Sequence, residues 1–348
     1  MAPRVSINIV AWNSMEFLPE LLRSIFAQTY QDFQVLVIDN GSTDGLEAYV
    51  REHHPQVMIL RNVKNLGFSP AHNQGIRYAM QSWRLEEYAD RFILVTNPDV
   101  IFTATFLERI VQEATAHPKT GAFGGKLLRA FTERGQEEGE SPVRSDRLDS
   151  TGISAHRRRT FTDRGAGELD TGQYDEAREV FGISGALALY RVSALQEARF
   201  EDEFFDKDFF AYKEDVDLAW RLQWLGWEAR YVPEAVAYHY RGMYGREGAG
   251  WLELIRNRRR KSSRRSYYST RNHWNLLMKN ESFFSGVLAL PWVLPMEIVR
   301  VMYVILFEPR NALAFFHAWA RVPRMWRKRR EIFKHRKGGA RALSHWFV

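Results

Sequence analysis

Short runs rich in β-branched and aromatic residues recur along the first hundred positions, each closed by a polar turn. Val5–Ala11, Gln34–Asp39, Val57–Asn62 and Phe92–Thr96 predict strands. Between and after them apolar positions repeat at helical spacing: Glu16–Phe26, with Phe17, Leu18, Leu21, Leu22 and Ile25 apolar, then Leu46–His53, Pro70–Ser82 and Phe106–Ala116. This alternation predicts an α/β architecture with a mostly parallel, doubly wound sheet. Ligands of such sheets bind in the crevice beyond the carboxyl ends of the strands, which directs attention to Asp39, Asn65 and Asn97–Asp99.

From Arg129 to about Glu179 the chain turns polar, rich in Gly, Arg, Asp and Glu, and reads as a mobile surface insertion near the site. Phe181–Tyr190 then predicts a buried strand entered through two glycines, and Glu214–Trp224 a helix with Val216, Leu218, Ala219 and Leu222 apolar. The tail from Trp251 mixes aromatics with basic clusters at Arg256–Lys261, Arg264–Arg265, Arg327–Arg330 and Lys334–Lys337. Within it, Ser282–Met296 is an uncharged run of 15 residues holding Pro291 and Pro295, followed by the apolar Val301–Phe307. A spanning helix takes roughly 20 apolar residues, so this run predicts segments lying in or dipping into one leaflet, with a kinked span as the alternative. Trp292, Tyr303, Trp319 and Trp326 suit the headgroup level.

Composition sharpens this division. The chain has 348 residues, 45% of them apolar, enough for a large core. It has no cysteine, which excludes disulfides, thiolate metal sites and cysteine nucleophiles. No secretory signal is expected from the opening MAPRVSINIVAW. The net charge of +7 conceals an asymmetry: residues 241–348 carry 23 Lys and Arg against 6 Asp and Glu, leaving 26 against 36 for residues 1–240. The basic half fits an anionic membrane surface. Nucleic acid is not expected as a partner, because so much uninterrupted apolar sequence has no use on its backbone.

Several polar residues carry candidate chemistry. Asp39 follows a central strand and begins Asp39-Asn40-Gly41-Ser42-Thr43-Asp44-Gly45; a carboxylate there can accept the imide N–H of a pyrimidine, though the same residue types make ordinary turns and caps. In Asn97-Pro98-Asp99 the proline stiffens the turn and Asp99 projects from the sheet edge, where it can hold a divalent cation completed by diphosphate oxygens and water. His239 is the best available nitrogen partner, and an oxygen-rich site with one imidazole suits Mn²⁺ or Mg²⁺. Glu214, Asp215 and Asp217 open a helix, where the macrodipole favours acids without any catalysis. The aromatic stretch Phe204–Tyr212 before them offers an apolar wall, against which a carboxylate can act as a general base. Arg221 can pair with an acid or a phosphate.

In this order, Val5–Ser14 (VSINIVAWNS), Val37–Gly45 (VIDNGSTDG), Asn65–Phe68 with Asn73-Gln74-Gly75, Asn97–Val100, Gly182–Ala186 and Glu214–Arg221 resemble the family 2 inverting glycosyltransferases with the GT-A fold, over about residues 4–242. The Asp163-Arg164-Gly165 loop, Gly172–Asp175, Phe181–Ala186 and Tyr267–Asn272 look most like bacterial polysaccharide rhamnosyltransferases that use dTDP-L-rhamnose. The resemblance implies that Asp39 binds the base, that Ala11, Asn13 and Asn65 line the nucleoside pocket, and that Asn73 belongs to the donor site. It implies Asp99 and His239 as cation ligands, with Asn97 standing where the family usually has the first Asp of its Asp-x-Asp pair. It further implies Asp215 as catalytic base and Glu214 as its helper or the acceptor's positioner. Gly185 and Ala186 fall where room is left for donor sugar and acceptor.

The expectation is therefore a catalytic domain over residues 1–242, with 129–180 as a loop near the site, and a helical membrane-association region over 243–348. The enzyme would work at the cytoplasmic face of the bacterial inner membrane, peripheral or monotopic, on a saccharide or polyprenyl-diphosphate-linked acceptor. A UDP-sugar donor is the alternative within the family. A sugar-nucleotide nucleotidyltransferase fits less well, because Ala11-Trp12-Asn13-Ser14 is no Gly-rich phosphate loop. A dead transferase core serving as a membrane scaffold is disfavoured by the joint presence of Asp39, Asp99, Asp215 and His239.

Overall fold

The computed structural model describes residues 2–132, 142–240, 262–339 and 342–348. The basic cluster 256–261 and the boundary at residue 242 lie outside them. The elements in chain order are β1 (Val5–Ala11), α1 (Leu18–Phe26), β2 (Phe33–Asp39), α2 (Leu46–His53), β3 (Met58–Arg61), α3 (Phe68–Met80), β4 (Phe92–Thr96), β5 (Val100–Phe102), α4 (Phe106–Ala116) and β6 (Thr120–Thr132). They continue with β7 (Pro142–Ser150), β8 (Ile153–Ala155), β9 (Phe161–Asp163), β10 (Arg178–Val180), β11 (Leu187–Arg191), α5 (Val192–Ala198), α6 (Glu214–Trp224) and β12 (Glu228–Tyr240). Four helices follow: α7 (Ser263–Asn280), α8 (Phe283–Phe307), α9 (Leu313–Trp319) and α10 (Val322–His335).

The main sheet runs β10-β12-β6-β11-β4-β1-β2-β3, with β5 on β12 and β7 on β6. Its first-built half, β3-β2-β1-β4, is parallel, as the strand–helix alternation requires. The other half is mixed, because β11 pairs antiparallel with both β4 and β6 while β12 lies parallel to β6. The central strands are buried on both faces. Ile7, Ile9, Val35 and Val37 pack under α1, α2 and α4, whereas Ile93, Val95, Ala188 and Tyr190 pack under α3, α5 and α6. Near-continuous apolar strands are the sequence consequence of such two-sided burial.

The polar stretch expected to be an insertion holds β7, β8, β9 and β10 among its described residues. Both apolar and polar contacts pin it down: Ile153 and Ala155 of β8 and Phe161 of β9 pack with Phe181 and Trp220. Lys126 lies 2.8 Å from Asp170 and also pairs with Asp175, and the Arg164 guanidinium stacks over Tyr174 and Tyr231. The expected strand 181–190 is also different: only Leu187–Arg191 is strand, and residues 181–186 form the turn that carries Gly185. α8 runs unbroken through Pro291 and Pro295, so it is longer than the uncharged run. By length and composition it is the one helix among the described residues long and apolar enough to cross a membrane.

The C-terminal helices are tied to the α/β body through buried charge. Lys279 of α7 is fully buried and lies 2.6 Å from both Asp206 Oδ2 and Asp217 Oδ1. Lys328 of α10 bonds Asp206, Asp208 (3.0 Å) and Glu203 (3.3 Å). Burial alone raises the Asp206 carboxyl, but the two ammonium groups dominate and hold it well below the usual carboxylate range.

Candidate active site

The cleft lies where β1, β2 and β4 end and where the turn 181–186 and α6 begin. Ala11 and Asp39 close neighbouring strands and are paired in register. Past them the chain turns are laced together: the Asn13 N–H donates to Ser42 Oγ (3.0 Å) and the Thr43 N–H to Asn13 Oδ1 (2.9 Å). Asn13 itself is left-handed, at φ 48°. Asn65 Oδ1 accepts from the Gly67 N–H (2.8 Å) and from Asn40 Nδ2 (3.3 Å). Asp39 is fully buried; its Oδ1 accepts the Ser42 N–H at 2.8 Å, while Oδ2 has no hydrogen bond and only the Arg61 guanidinium 3.8 Å away as an ion-pair partner. A buried carboxylate oxygen without a hydrogen bond is costly, and a donor from a ligand would satisfy it.

The second group sits at the β4–β5 turn. Residues Val100–Phe102 pair with Ala237–His239, and the Tyr240 N–H donates to the Asp99 carbonyl at 2.9 Å, which brings His239 against Asp99. His239 Nε2 lies 3.3 Å from Asp99 Oδ1, without the alignment of a hydrogen bond. On the ring's other side Nδ1 donates to Asp149 Oδ2 at 2.8 Å. Burial disfavours the imidazolium, but the carboxylates of Asp149 and Asp99 outweigh it and push the ring up to about 9. A carboxylate behind Nδ1 is also the arrangement that orients a metal-ligating imidazole, with Nε2 facing the ion. Asp149 comes from β7, inside the polar stretch, and no sequence signal singled it out.

Among the described residues there is no group of three or more His, Asp or Glu poised around a cation. The fit of a divalent ion therefore rests on two protein donors, Asp99 and His239, with Asp149 behind them. Asp99 Oδ1 is buried without a hydrogen bond, and such a donor pair suits an ion that takes its remaining ligands from diphosphate and water.

The third group opens α6. Asp215 Oδ2 accepts the Gly185 N–H (2.9 Å) and its Oδ1 accepts the Val216 N–H (2.7 Å). Surrounding protein desolvates this carboxyl and raises it above the ordinary aspartate range, although the two backbone bonds pull the other way. Glu214 is buried, its Oε2 has no hydrogen-bond partner, and burial together with the Asp215 charge pushes it well up. A Cβ on Gly185 would stand 3.2 Å from Asp215 Cβ and 3.4 Å from Phe68, so a side chain here would have to push Asp215 by a few tenths of an ångström. The Asn97 N–H donates to the Ala186 carbonyl (2.9 Å), so two hydrogen bonds connect the β4 turn to Asp215.

The segment before α6 is unusual. Phe210, Tyr212 and Lys213 all have left-handed backbones, at φ 62°, 72° and 71°. Non-glycine residues there are strained by about 1–3 kcal/mol each and persist only where neighbours hold them. α7 does the holding. Asn272 Nδ2 donates to the carbonyls of Phe209 (2.7 Å), Ala211 (2.9 Å) and Tyr212 (2.8 Å), and Arg271 to those of Asp208 (2.6 Å) and Phe209 (3.1 Å). Phe210 stacks on Tyr268 at 4.8 Å, and its carbonyl accepts the Phe68 N–H at 2.6 Å. Gly67, at φ 89°, leaves space for this approach; a Cβ there would meet Phe210 at 2.6 Å.

Two residues expected at the donor are engaged elsewhere. Arg221 is 1% exposed; its guanidinium donates to Asp217 Oδ2 (3.0 Å) and to the carbonyls of Phe204 (2.6 Å) and Ala198. It makes the acid pair and has no open face for a phosphate. Asn73 is also buried, with its amide spent on the backbone of Phe204 and Phe205 (2.7–3.1 Å). Both are buried on their helices, so they hold the Phe204–Phe205 backbone rather than the ligand.

Three groups of polar residues thus gather at the strand ends of one mixed sheet, and comparison with known proteins gives that sheet its family. Residues 6–199 match the glycosyl transferase family 2 model, and residues 151–319 that of glycosyl transferase family group 2. The N-acetylglucosaminyl-diphospho-decaprenol L-rhamnosyltransferase of Mycobacterium tuberculosis is 30% identical over 258 residues, covering 72% of this chain and 81% of the relative. The chain belongs to glycosyl transferase family 2. Among solved structures, GalNAc-T7 with UDP, GalNAc and Mn²⁺ superimposes with a TM-score of 0.57 at 12% identity, over 80% of this chain but only 48% of that one. A mannosyltransferase from Pyrobaculum calidifontis in complex with GDP-Man and Mn²⁺ gives 0.50 at 17%, over 99% and 79%. These likenesses show the GT-A fold.

Proposed function

We propose that this glycosyltransferase is an inverting enzyme that moves L-rhamnose from dTDP-L-rhamnose to a hydroxyl of a saccharide carried on a polyprenyl diphosphate, at the cytoplasmic face of a bacterial inner membrane. The observation that carries the reaction class is Asp215: a desolvated carboxylate fixed by two backbone N–H groups, one hydrogen-bonded turn away from the Asn97–Asp99 corner. The similarity to a rhamnosyltransferase acting on a diphospho-decaprenol acceptor supports the sugar and the acceptor class. Residues 1–242 form the catalytic domain in this reading and 243–348 the membrane-association region.

Asp39 Oδ2 accepts the imide N–H of the pyrimidine, with Ala11, Asn13 and Asn65 around the nucleoside. Asp215 takes the proton of the acceptor hydroxyl as its oxygen attacks the anomeric carbon from the face opposite the nucleotide. The new C–O bond forms as the bond to the diphosphate breaks, the electron pair leaves with the nucleoside diphosphate, and the anomeric configuration inverts. Glu214 positions the acceptor beside the base, and Asn97 hydrogen-bonds the donor. A divalent cation, Mn²⁺ or Mg²⁺, held by Asp99 and His239 supplies Lewis-acid stabilisation of the diphosphate when bound.

Calorimetric titration with dTDP and UDP, each with Mn²⁺, Mg²⁺ or EDTA, tests the donor assignment. Metal-dependent binding that favours dTDP supports it. A preference for UDP keeps the transferase and removes rhamnose, and binding of neither overturns the donor site.

A further inference from the structure

α8 is about 37 Å long at 1.5 Å per residue, enough to cross a hydrocarbon core of about 30 Å, so length does not decide how it meets a membrane. Its two faces do. Along one face Ser285, Ala289, Val293, Glu297, Arg300 and Val304 recur every three or four positions and are all withdrawn from solvent to some degree. That stripe is fastened to the protein at three levels. Near its start Arg159 donates to Ser285 Oγ (2.7 Å). At its middle Glu297 accepts from His273 (2.8 Å) and Trp274 (2.9 Å) of α7. At its end Glu308 accepts from Asn311, whose Oδ1 accepts from Ser263, the first residue of α7 (2.9 and 3.2 Å).

α7 and α8 thus run antiparallel side by side, and α7 is itself locked to the catalytic body by Arg271, Asn272 and Lys279. The opposite face of α8 is apolar and exposed from end to end: Phe283 is 82% exposed, Leu294 55% and Leu306 65%. α9, which packs on α7, adds exposed apolar residues of its own: Phe316 and Trp319 are 71% and 64% exposed, and Trp319 neighbours Trp274. A helix in a transmembrane orientation would draw α7 and its buried polar contacts into hydrocarbon with it, where such groups are costly. Residues 309–337 carry ten Lys or Arg and a single Glu, which repels a second copy of this chain and matches anionic headgroups.

We propose that α8 does not span: it lies in the plane of one leaflet of an anionic bilayer, its Phe283–Leu294–Leu306 face immersed along its whole length, with α9 beside it. The proposal deepens the membrane-surface reading above and rests on it only for the membrane's presence. It makes α7 the rigid strut between the bilayer and the strained Phe210–Lys213 segment that leads into Glu214 and Asp215.

The absence of cysteine from the chain makes the test clean. Full-length protein carrying one of Leu288→Cys, Leu294→Cys or Met302→Cys is labelled with an environment-sensitive fluorophore and mixed with vesicles of phosphatidylglycerol and phosphatidylcholine, or of phosphatidylcholine alone. All three positions are exposed, and an unchanged thermal melt verifies each fold. In-plane docking predicts a severalfold, blue-shifted emission rise at all three, equal quenching by shallow spin-labelled lipid, and a marked loss of response without the anionic lipid. The proposal is overturned if Leu294 alone is deep while one flank is protected from an impermeant quencher until detergent is added, or if no position responds. A change that depends on protein concentration and not on vesicles also overturns it, in favour of self-association. Docking without sugar transfer would retain this inference and remove the proposed activity; transfer to a detergent-dispersed acceptor without docking would do the reverse.

Discussion

Replacing Lys279 by methionine keeps the packed stem and removes the charge that joins α7 to α6. The ammonium is fully buried, 2.6 Å from Asp206 and 2.6 Å from Asp217. Removing one partner of a buried ion pair costs about 3–5 kcal/mol, because the remaining charge stays desolvated. Here neither carboxylate is abandoned: Asp206 keeps Lys328, and Asp217 keeps Arg221 (3.0 Å) and Asn280 (2.8 Å). The cost therefore falls at the lower end, about 3 kcal/mol, or roughly 150-fold in the folding equilibrium. Urea unfolding in mild detergent, followed by tryptophan fluorescence, measures it. The pH dependence has a definite sign. Asp206 is depressed in the folded protein, so its contribution is complete above the unfolded carboxyl value of about 4 and is lost as pH falls below it. The gap between wild type and Lys279→Met should be widest near neutrality and narrow in acid. A loss below about 1 kcal/mol at pH 7, or strict additivity of Lys279→Met with Asp217→Asn, would refute the reasoning.

Other consequences are equally direct. Asn272→Ala releases three carbonyls of the left-handed segment and should lower kcat about 10- to 100-fold while donor affinity holds; a matching rise in donor Kd would assign Asn272 to binding instead. Asp149→Asn removes the carboxylate behind His239 and should weaken Mn²⁺-dependent dTDP binding about 10- to 100-fold, with metal-independent binding unaffected; unchanged titrations would exclude that role. Because burial raises Asp215, the acid limb of the pH–rate profile should inflect above the ordinary aspartate value of about 4; an inflection at or below it would show a solvated carboxylate.

The inner strands of the parallel half were legible because they are buried on both faces and therefore read as short apolar runs; β1 and β4 fall on the predicted residues. The helix over Glu214–Trp224 also falls on the predicted residues, although it is buried nearly all round, with Asp217 and Arg221 inside as well as its apolar positions. The polar stretch was not legible. Its loops are held by the pairs of Lys126 with Asp170 and Asp175 and by Arg164 over Tyr174, and its apolar anchors Ile153, Ala155 and Phe161 sit on strands of three residues, too short to show a period. Asp149 was hidden there, and its partnership with His239 depends on β7 and β12 both flanking β6. Arg221 and Asn73 show the converse error: polar residues within motifs look like ligand contacts, yet both spend their hydrogen bonds on backbone carbonyls or amides inside the fold. The left-handed backbones of Phe210, Tyr212 and Lys213 left no trace in their residue types, because α7 enforces them from 60 positions away.

The most direct test of the account is sugar transfer by the purified protein and its Asp215→Asn variant, with dTDP-L-rhamnose and UDP-sugars offered alongside a polyprenyl-diphosphate-linked acceptor. General-base catalysis contributes about 10²–10⁴-fold, so the variant should bind the nucleotide like wild type and lose turnover by that factor. Transfer that survives the substitution, or nucleotide affinity that falls in step with turnover, would contradict the assignment of Asp215 as the base.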